Sequence, residues 1–204
     1  MATGNICIFG SSSNNIDRKY IDAACETGAL LAENGLGMVF GGGAVGLMGA
    51  AAEGAYAGGG RIIGVIPEKL NKPGIASAHC TELIVTRDMF ERKSTMENLA
   101  DAYIALPGGF GTLDEITEVL ALKQLGYIEG QIVILNIDGF FDGILAQFES
   151  CVANGFTNRR YLGLYKTVST PLEAIEAIRG YVPEEMPDKI KEALMYHEQS
   201  FQSE

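Results

Sequence analysis

The chain has 204 residues, 47% of them hydrophobic and 20% charged. That fits one globular domain whose core needs no disulfide or metal staple. With 15 Lys and Arg against 26 Asp and Glu the net charge is −11, which argues against nucleic acid or an anionic membrane surface as a partner. The four cysteines are scattered and only two histidines are present, so there is no zinc-ligand pattern, and free thiols suit a reducing cytoplasm. The first residues have neither the basic start nor the apolar run of a signal peptide. No apolar stretch approaches the ~18 residues of a membrane span. The expectation is a soluble cytoplasmic protein.

Taken in chain order, a short apolar run at 6–9 predicts a first strand, followed by the turn Gly10-Ser11-Ser12-Ser13-Asn14 and a helix over about 17–34. A second strand at 37–40 runs into Gly41-Gly42-Gly43-Ala44-Val45-Gly46, which opens a helix over about 45–58. Strands at 61–66 and 82–86 flank a connection, 69–79, whose Pro and Gly mark it as irregular and ligand-facing. Next come a helix at 89–100, a strand at 102–106, the turn Pro107-Gly108-Gly109-Phe110-Gly111-Thr112 and a helix at 113–126. A strand at 131–136, a helix at 140–154, an exposed loop at 156–165, a weak strand at 166–169 and a helix at 171–180 complete the pattern. Continuously apolar strands alternating with helices predict right-handed crossovers and a doubly wound, Rossmann-like parallel sheet with helices on both faces. Residues 1–182 read as one nucleotide-binding catalytic domain and 183–204 as a tail with a packed or frayed helix at 188–197.

Ligands of open parallel sheets bind beyond the carboxyl ends of the strands. Two such ends here carry glycine turns that open helices, so bare amides and a positive dipole end are available to an anion. Gly42, Gly43, Gly108, Gly109, Gly111 and Thr112 are the expected phosphate cradle, with Ser11 adding a hydroxyl. Gly41, Gly43 and Gly46 also satisfy G-x-G-x-x-G, but after the second strand and with no acidic residue closing the next, which weakens a dinucleotide reading. No G-x-x-x-x-G-K-[ST] is present, which disfavours a P-loop triphosphatase.

On the helix at 89–100, Met89, Arg92, Lys93 and Met96 share a stripe, so two cations interrupt an apolar face just past a strand end. Snorkelling stems would explain them; a phosphorylated ligand would too, and Arg92 has the planar fork for it. Thr112-x-x-Glu115 reads either as a capping box or as a carboxylate aimed at whatever the phosphate carries, with Glu118 one turn behind. A carboxylate beside a bound sugar phosphate suits cleavage at an anomeric carbon, where positive charge builds on the ring. Arg92 stays protonated and makes a poor acid, leaving Asp88 or water to protonate a leaving base.

Together, Gly41 to Gly49, Met89-x-x-Arg92-Lys93 and Pro107-Gly108-Gly109-x-Gly111-Thr112-x-x-Glu115 resemble the LONELY GUY (LOG) family of cytokinin riboside 5'-monophosphate phosphoribohydrolases, over roughly residues 5–180. The resemblance implies hydrolysis of the N-glycosidic bond of N6-modified AMP to free base and ribose 5-phosphate. It implies a Rossmann-like fold, a homodimer, and no metal or redox cofactor. It places the catalytic roles on Arg92 and Glu115, the 5'-phosphate on Gly108 to Thr112, and Met89 and Lys93 in the nucleotide pocket. Phe90 and Phe110 stand where many relatives carry His and Tyr. The rival readings are a non-catalytic nucleotide sensor or carrier, and a dinucleotide-dependent oxidoreductase.

Overall fold

The computed structural model describes residues 4–184 and 186–187. The helix expected at 188–197 lies outside the described residues. The strands are β1 (Asn5–Phe9), β2 (Gly37–Phe40), β3 (Ile62–Pro67), β4 (Glu82–Thr86), β5 (Ala102–Ala105), β6 (Ile132–Leu135) and β7 (Tyr165–Val168). Interleaved with them are α1 (Arg18–Glu33), α2 (Gly46–Ala57), α3 (Met89–Leu99), α4 (Phe110–Gln124), α5 (Asp142–Ala153) and α6 (Pro171–Arg179). All seven strands pair in parallel, in the order β4-β3-β2-β1-β5-β6-β7. The chain therefore winds outward one way from β1 and the other way from β5, as in the Rossmann-like fold, and the β1/β5 boundary is the switch point where such sheets bind ligands.

Period-two alternation decides which side chain meets which helix layer. Ile6 and Ile8 of β1 join a core with α1, α2 and α6 through Leu31, Leu47, Ala51 and Ile175. Cys7 and Phe9 point the other way, against Met96 of α3 and Val119 of α4. Helices α1 and α2 approach backbone to backbone at Gly28 and Gly54, where an added Cβ would overlap the Ala51 and Cys25 carbonyls.

Two connections differ from expectation. Residues 156–165 are only partly an exposed loop: Arg159–Leu164 forms a 3-10 turn that buries Tyr161 and Leu164. The 69–79 connection is irregular after a 3-10 turn at Glu68–Leu70, but it is tied down over the first glycine turn. There the Ala44 amide donates to the Ile75 carbonyl and the Ser77 amide to that of Gly42, each at 2.8 Å. Among the described residues no helix is long and apolar enough to cross a membrane.

Candidate active site

The carboxyl ends of β1, β2, β3 and β5 open onto a cavity of about 570 Å³, a size that suits a small ligand. One side is built from polar backbone and hydroxyls: Ser11, Ser12, Ser13, Gly109, Gly111 and Thr112. The other is apolar, from Val45, Met48, Ile66, Leu70, Ile75 and Met89.

Helix α4 begins at Phe110, three residues earlier than its periodicity suggests, and its N-cap, Gly109, offers no side chain to the first-turn amides. Those orphan donors and the positive helix end therefore face the cavity. Neither Gly109 nor Gly111 has a positive φ, and a Cβ added at either would meet nothing within 4 Å. No feature of the protein's own packing asks for glycine there. What its absence of side chain provides is unobstructed approach to main-chain N–H groups. The early start also removes the capping-box alternative, because Thr112 lies inside the helix and Glu115 turns to another partner.

That partner is Arg92. Helix α3 is capped by Asp88, whose Oδ1 accepts from the Phe90 and Glu91 amides at 2.9 Å each. One turn in, Arg92 is 6% exposed, its Nε donating to the Val65 carbonyl at 3.2 Å and its Nη1 to Glu115 Oε1 at 3.0 Å. Glu115 is 8% exposed. Burial pushes its carboxyl above the usual range, and the Arg92 guanidinium pulls it back. An added Cβ at Gly41 would overlap Arg92 Nη2, so this glycine makes room for the guanidinium.

Lys93 Nζ sits 2.9 Å from Asp114 Oδ2 and 2.6 Å from Glu118 Oε2. Burial favours its neutral amine, but its interactions with the two acceptor carboxylates outweigh that and hold it protonated. Ser11, Gly43, Met89, Arg92, Lys93, Gly109, Gly111, Thr112 and Glu115 thus meet at the cavity. Gly42, Gly108 and Glu118 do not line it. Gly42 has φ +70° and packs on Ile66, the missing Cβ of Gly108 makes space for the Thr112 side chain, and Glu118 stands behind Lys93. Asp88 is engaged as a helix cap. Sequence reasoning missed Val45, Ile66, Leu70 and Ile75; the signals were the ligand-facing 69–79 connection for Leu70 and Ile75, the first glycine turn for Val45 and a strand's carboxyl end for Ile66. Phe90 and Phe110, 82% and 93% exposed, stand at the helix starts, Phe110 at the mouth of the cavity.

Fold and geometry together define a Rossmann-like α/β protein with a buried Arg–Glu pair beside an anion-receptive helix end. Residues 48–178 match the family model described as "Possible lysine decarboxylase". The cytokinin riboside 5'-monophosphate phosphoribohydrolase LOG of Oryza sativa subsp. japonica is 38% identical over 179 residues, 88% of this chain and 74% of that protein. The cytokinin riboside 5'-monophosphate phosphoribohydrolase LOG4 of Arabidopsis thaliana is 35% identical over 180 residues, 88% of this chain and 84% of that one. The chain belongs to this family, the LOG family. Among solved structures, the molybdenum cofactor binding protein of Rippkaea orientalis superposes with a TM-score of 0.68 at 24% identity, covering 88% of this chain and 97% of that one. The molybdenum cofactor carrier protein of Chlamydomonas reinhardtii gives 0.65 at 21%, covering 87% and 97%. At these identities the likeness is one of fold.

Amino-acid decarboxylation in the sense of the family model's description runs through pyridoxal phosphate held on a lysine as a Schiff base. The residues here do not fit that group. Lys93, which lines the cavity, is kept protonated between two carboxylates and is no amine nucleophile.

Proposed function

We propose that this protein hydrolyses the N-glycosidic bond of adenosine 5'-monophosphates, N6-modified ones included, releasing the free base and ribose 5-phosphate. The observation that carries this reading is the buried Arg92–Glu115 pair at 3.0 Å, next to open glycines at the start of α4. The names of the relatives agree with it. In this reading the 5'-phosphate lies against the amides of Gly109 to Thr112, and the ribose reaches toward Glu115, a turn deeper. Arg92 keeps the Glu115 carboxylate ionised and aimed. As the C1'–N bond breaks, its electron pair leaves with the base and positive charge builds on the ribose, where a nearby carboxylate stabilises it. Glu115 orients the incoming water and takes its proton as the new C1'–O bond forms. The departing base takes a proton from water, since Asp88 is committed to its helix. Because Glu115 must be ionised and burial raises its carboxyl, activity falls on the acid side at a pH above the usual carboxylate range.

The apolar wall of Leu70, Ile75 and Met89 favours a base with a hydrocarbon N6 substituent over plain adenine. The same reading makes residues 1–182 a single catalytic domain. It makes the protein a cytoplasmic homodimer acting on small nucleotides without nucleic acid or membrane. The net charge of −11 and the exposed Phe90 and Phe110 support this. The test is chromatographic release of base from AMP and from N6-isopentenyladenosine monophosphate. Glu115→Gln should lower kcat by about 1000-fold, comparable to removing a principal electrostatic stabiliser, while AMP still binds. Wild-type turnover in that variant reduces Glu115 to a structural ion-pair partner. Binding of both nucleotides by the wild type with release of base from neither favours the sensor reading.

A further inference from the structure

The connection from β3 to β4 carries charges that the catalytic pair and its glycine turns leave unused. Residues 68–79 hold two lysines, Lys69 and Lys72, against one glutamate, Glu68, so the segment is positive in a chain of net charge −11. Both lysines are exposed, and among the described residues neither ammonium has a carboxylate, a carbonyl or a ring as partner. The other cations along the carboxyl edge of the sheet are spent. At the starts of α1 and α3, Arg18 lies 2.7 Å from Asp22, Lys19 2.7 Å from Asp138 and Arg87 3.0 Å from Glu91. Arg92 and Lys93 are paired across to carboxylates of α4.

The backbone fixes where the two unpaired charges stand. Lys69 precedes Leu70 in the 3-10 turn, and Leu70 lines the cavity. The Lys72 amide donates to the Leu70 carbonyl at 2.8 Å. The Lys72 carbonyl accepts from the amides of Ile75, a second lining residue, and Ala76 at 3.0 and 3.2 Å. Ala76 in turn bridges to Gly43 of the first glycine turn. The lysines are thus held on the cavity rim by main-chain bonds to two residues of its apolar wall.

An ion pair presents a dipole whose field dies away quickly, whereas an uncompensated charge acts over about a Debye length, ~10 Å at 0.1 M salt. A phosphate dianion nearing an acidic protein meets net repulsion, which unpaired lysines beside the opening offset locally. Resting on the hydrolase reading above, we infer that Lys69 and Lys72 are a capture pair for the substrate. They draw the 5'-phosphate of the nucleotide to the cavity and hold it toward the amides of α4, without touching the reacting bond. They favour the anionic nucleotide over its uncharged nucleoside.

The experiment measures kcat/KM for AMP, and its dissociation constant by calorimetry, at about 20 mM and about 0.5 M salt. The pH is about 8, above the second ionisation of a phosphate monoester near ~6. At low salt the double variant Lys69→Gln/Lys72→Gln should lose roughly fivefold in kcat/KM and in affinity, the Coulomb effect of two charges about 10 Å from a dianion. At high salt the loss should shrink below about 1.5-fold, with kcat unchanged throughout. Charge reversal, Lys69→Glu/Lys72→Glu, should deepen the low-salt loss to roughly 25-fold. Lys166→Gln removes an equally exposed charge on β7, away from the cavity, and should change nothing. Wild-type values in both double variants at low salt overturn the proposal. So does a loss that persists undiminished at high salt, which marks a displaced connection rather than capture by charge. A wild type that binds AMP without releasing base sinks the hydrolase reading alone, and the salt dependence of binding then still tests the lysines. A wild type that binds no AMP overturns both.

Discussion

The turn after β2 and the turn after β5 read almost alike, glycine-rich segments that each launch a helix, yet their glycines answer different needs. In the first, Gly41 makes way for the Arg92 guanidinium. Gly42 and Gly46 sit at φ +70° and +66°, a region costly for other residues. An added Cβ at Gly46 would also come within 2.4 Å of the Ser11 carbonyl oxygen. The Gly46 amide donates to Asn14 Oδ1 at 3.2 Å and the Leu47 amide to the Ser11 carbonyl at 2.8 Å. Much of the donor capacity of this turn is therefore spent inside the protein. In the second turn Gly109 and Gly111 face open space, with ordinary dihedrals and no side-chain cap. The first turn is architecture that seats a cation; the second is a surface shaped for an anion. A G-x-G-x-x-G match therefore says little by itself, since identical spacing serves internal packing as readily as a ligand.

The largest expected effect falls on the first turn. Gly46→Ala adds left-handed strain to a backbone clash and should cost ~2–4 kcal/mol, seen as a melting temperature lower by roughly 5–15 °C. A melting temperature within a degree of wild type would show that this turn relaxes freely and that its glycines serve something other than packing. Next comes Gly111→Ala. Its methyl enters the cavity and meets no protein atom, so folding should be unharmed or improved by up to ~1 kcal/mol, the usual gain of Ala over Gly in a helix. AMP affinity should meanwhile fall about 100-fold, or ~2.7 kcal/mol, by calorimetric titration. Undiminished binding in a stable Gly111→Ala variant would place the phosphate elsewhere.

Much of this was open to reading from the chain. The strands announce themselves as continuous apolar runs because both faces of the sheet are covered, and the doubly wound order follows from their alternation with helices. The start of α4 was harder, since Thr112-x-x-Glu115 imitates a capping box while the true N-cap, Gly109, has no side chain to signal it. Periodicity placed Arg92 on the buried stripe of α3 and identified it as anomalous there. It could not supply the partner, because Glu115 lies on a different helix 23 positions away. The apolar wall from Leu70 and Ile75 depends on 69–79 folding back over the first glycine turn, through the Gly43–Ala76 bridge. No local pattern encodes that crossing. Lys123 shows the same limit: it continues the buried Ile116 and Val119 stripe of α4, is 8% exposed, donates to the Leu164 carbonyl at 3.0 Å and is pushed down to about 8 by burial. Its partners come from distant segments: the 3-10 turn at Arg159–Leu164 supplies the carbonyl and the Tyr181 ring lies 4.7 Å from its Nζ.

Gly43 is the position where the two roles meet, and it carries the smallest expected effect. It belongs to the first turn but lines the cavity, its φ is not positive, and an added Cβ would sit 3.4 Å from Met48 Cε, the movable end of a flexible side chain. Gly43→Ala should therefore shift stability by less than ~0.5 kcal/mol, within the range of substitutions that break no specific feature. If the phosphate rests mainly on α4 and only grazes the first turn, AMP affinity should drop about three- to tenfold, or ~0.7–1.4 kcal/mol. A loss as large as that at Gly111 would make both turns equal holders of the anion and would break the contrast drawn between them. No loss at all would confine the first turn to seating Arg92, and the pair of cradles suggested by the chain would reduce to one.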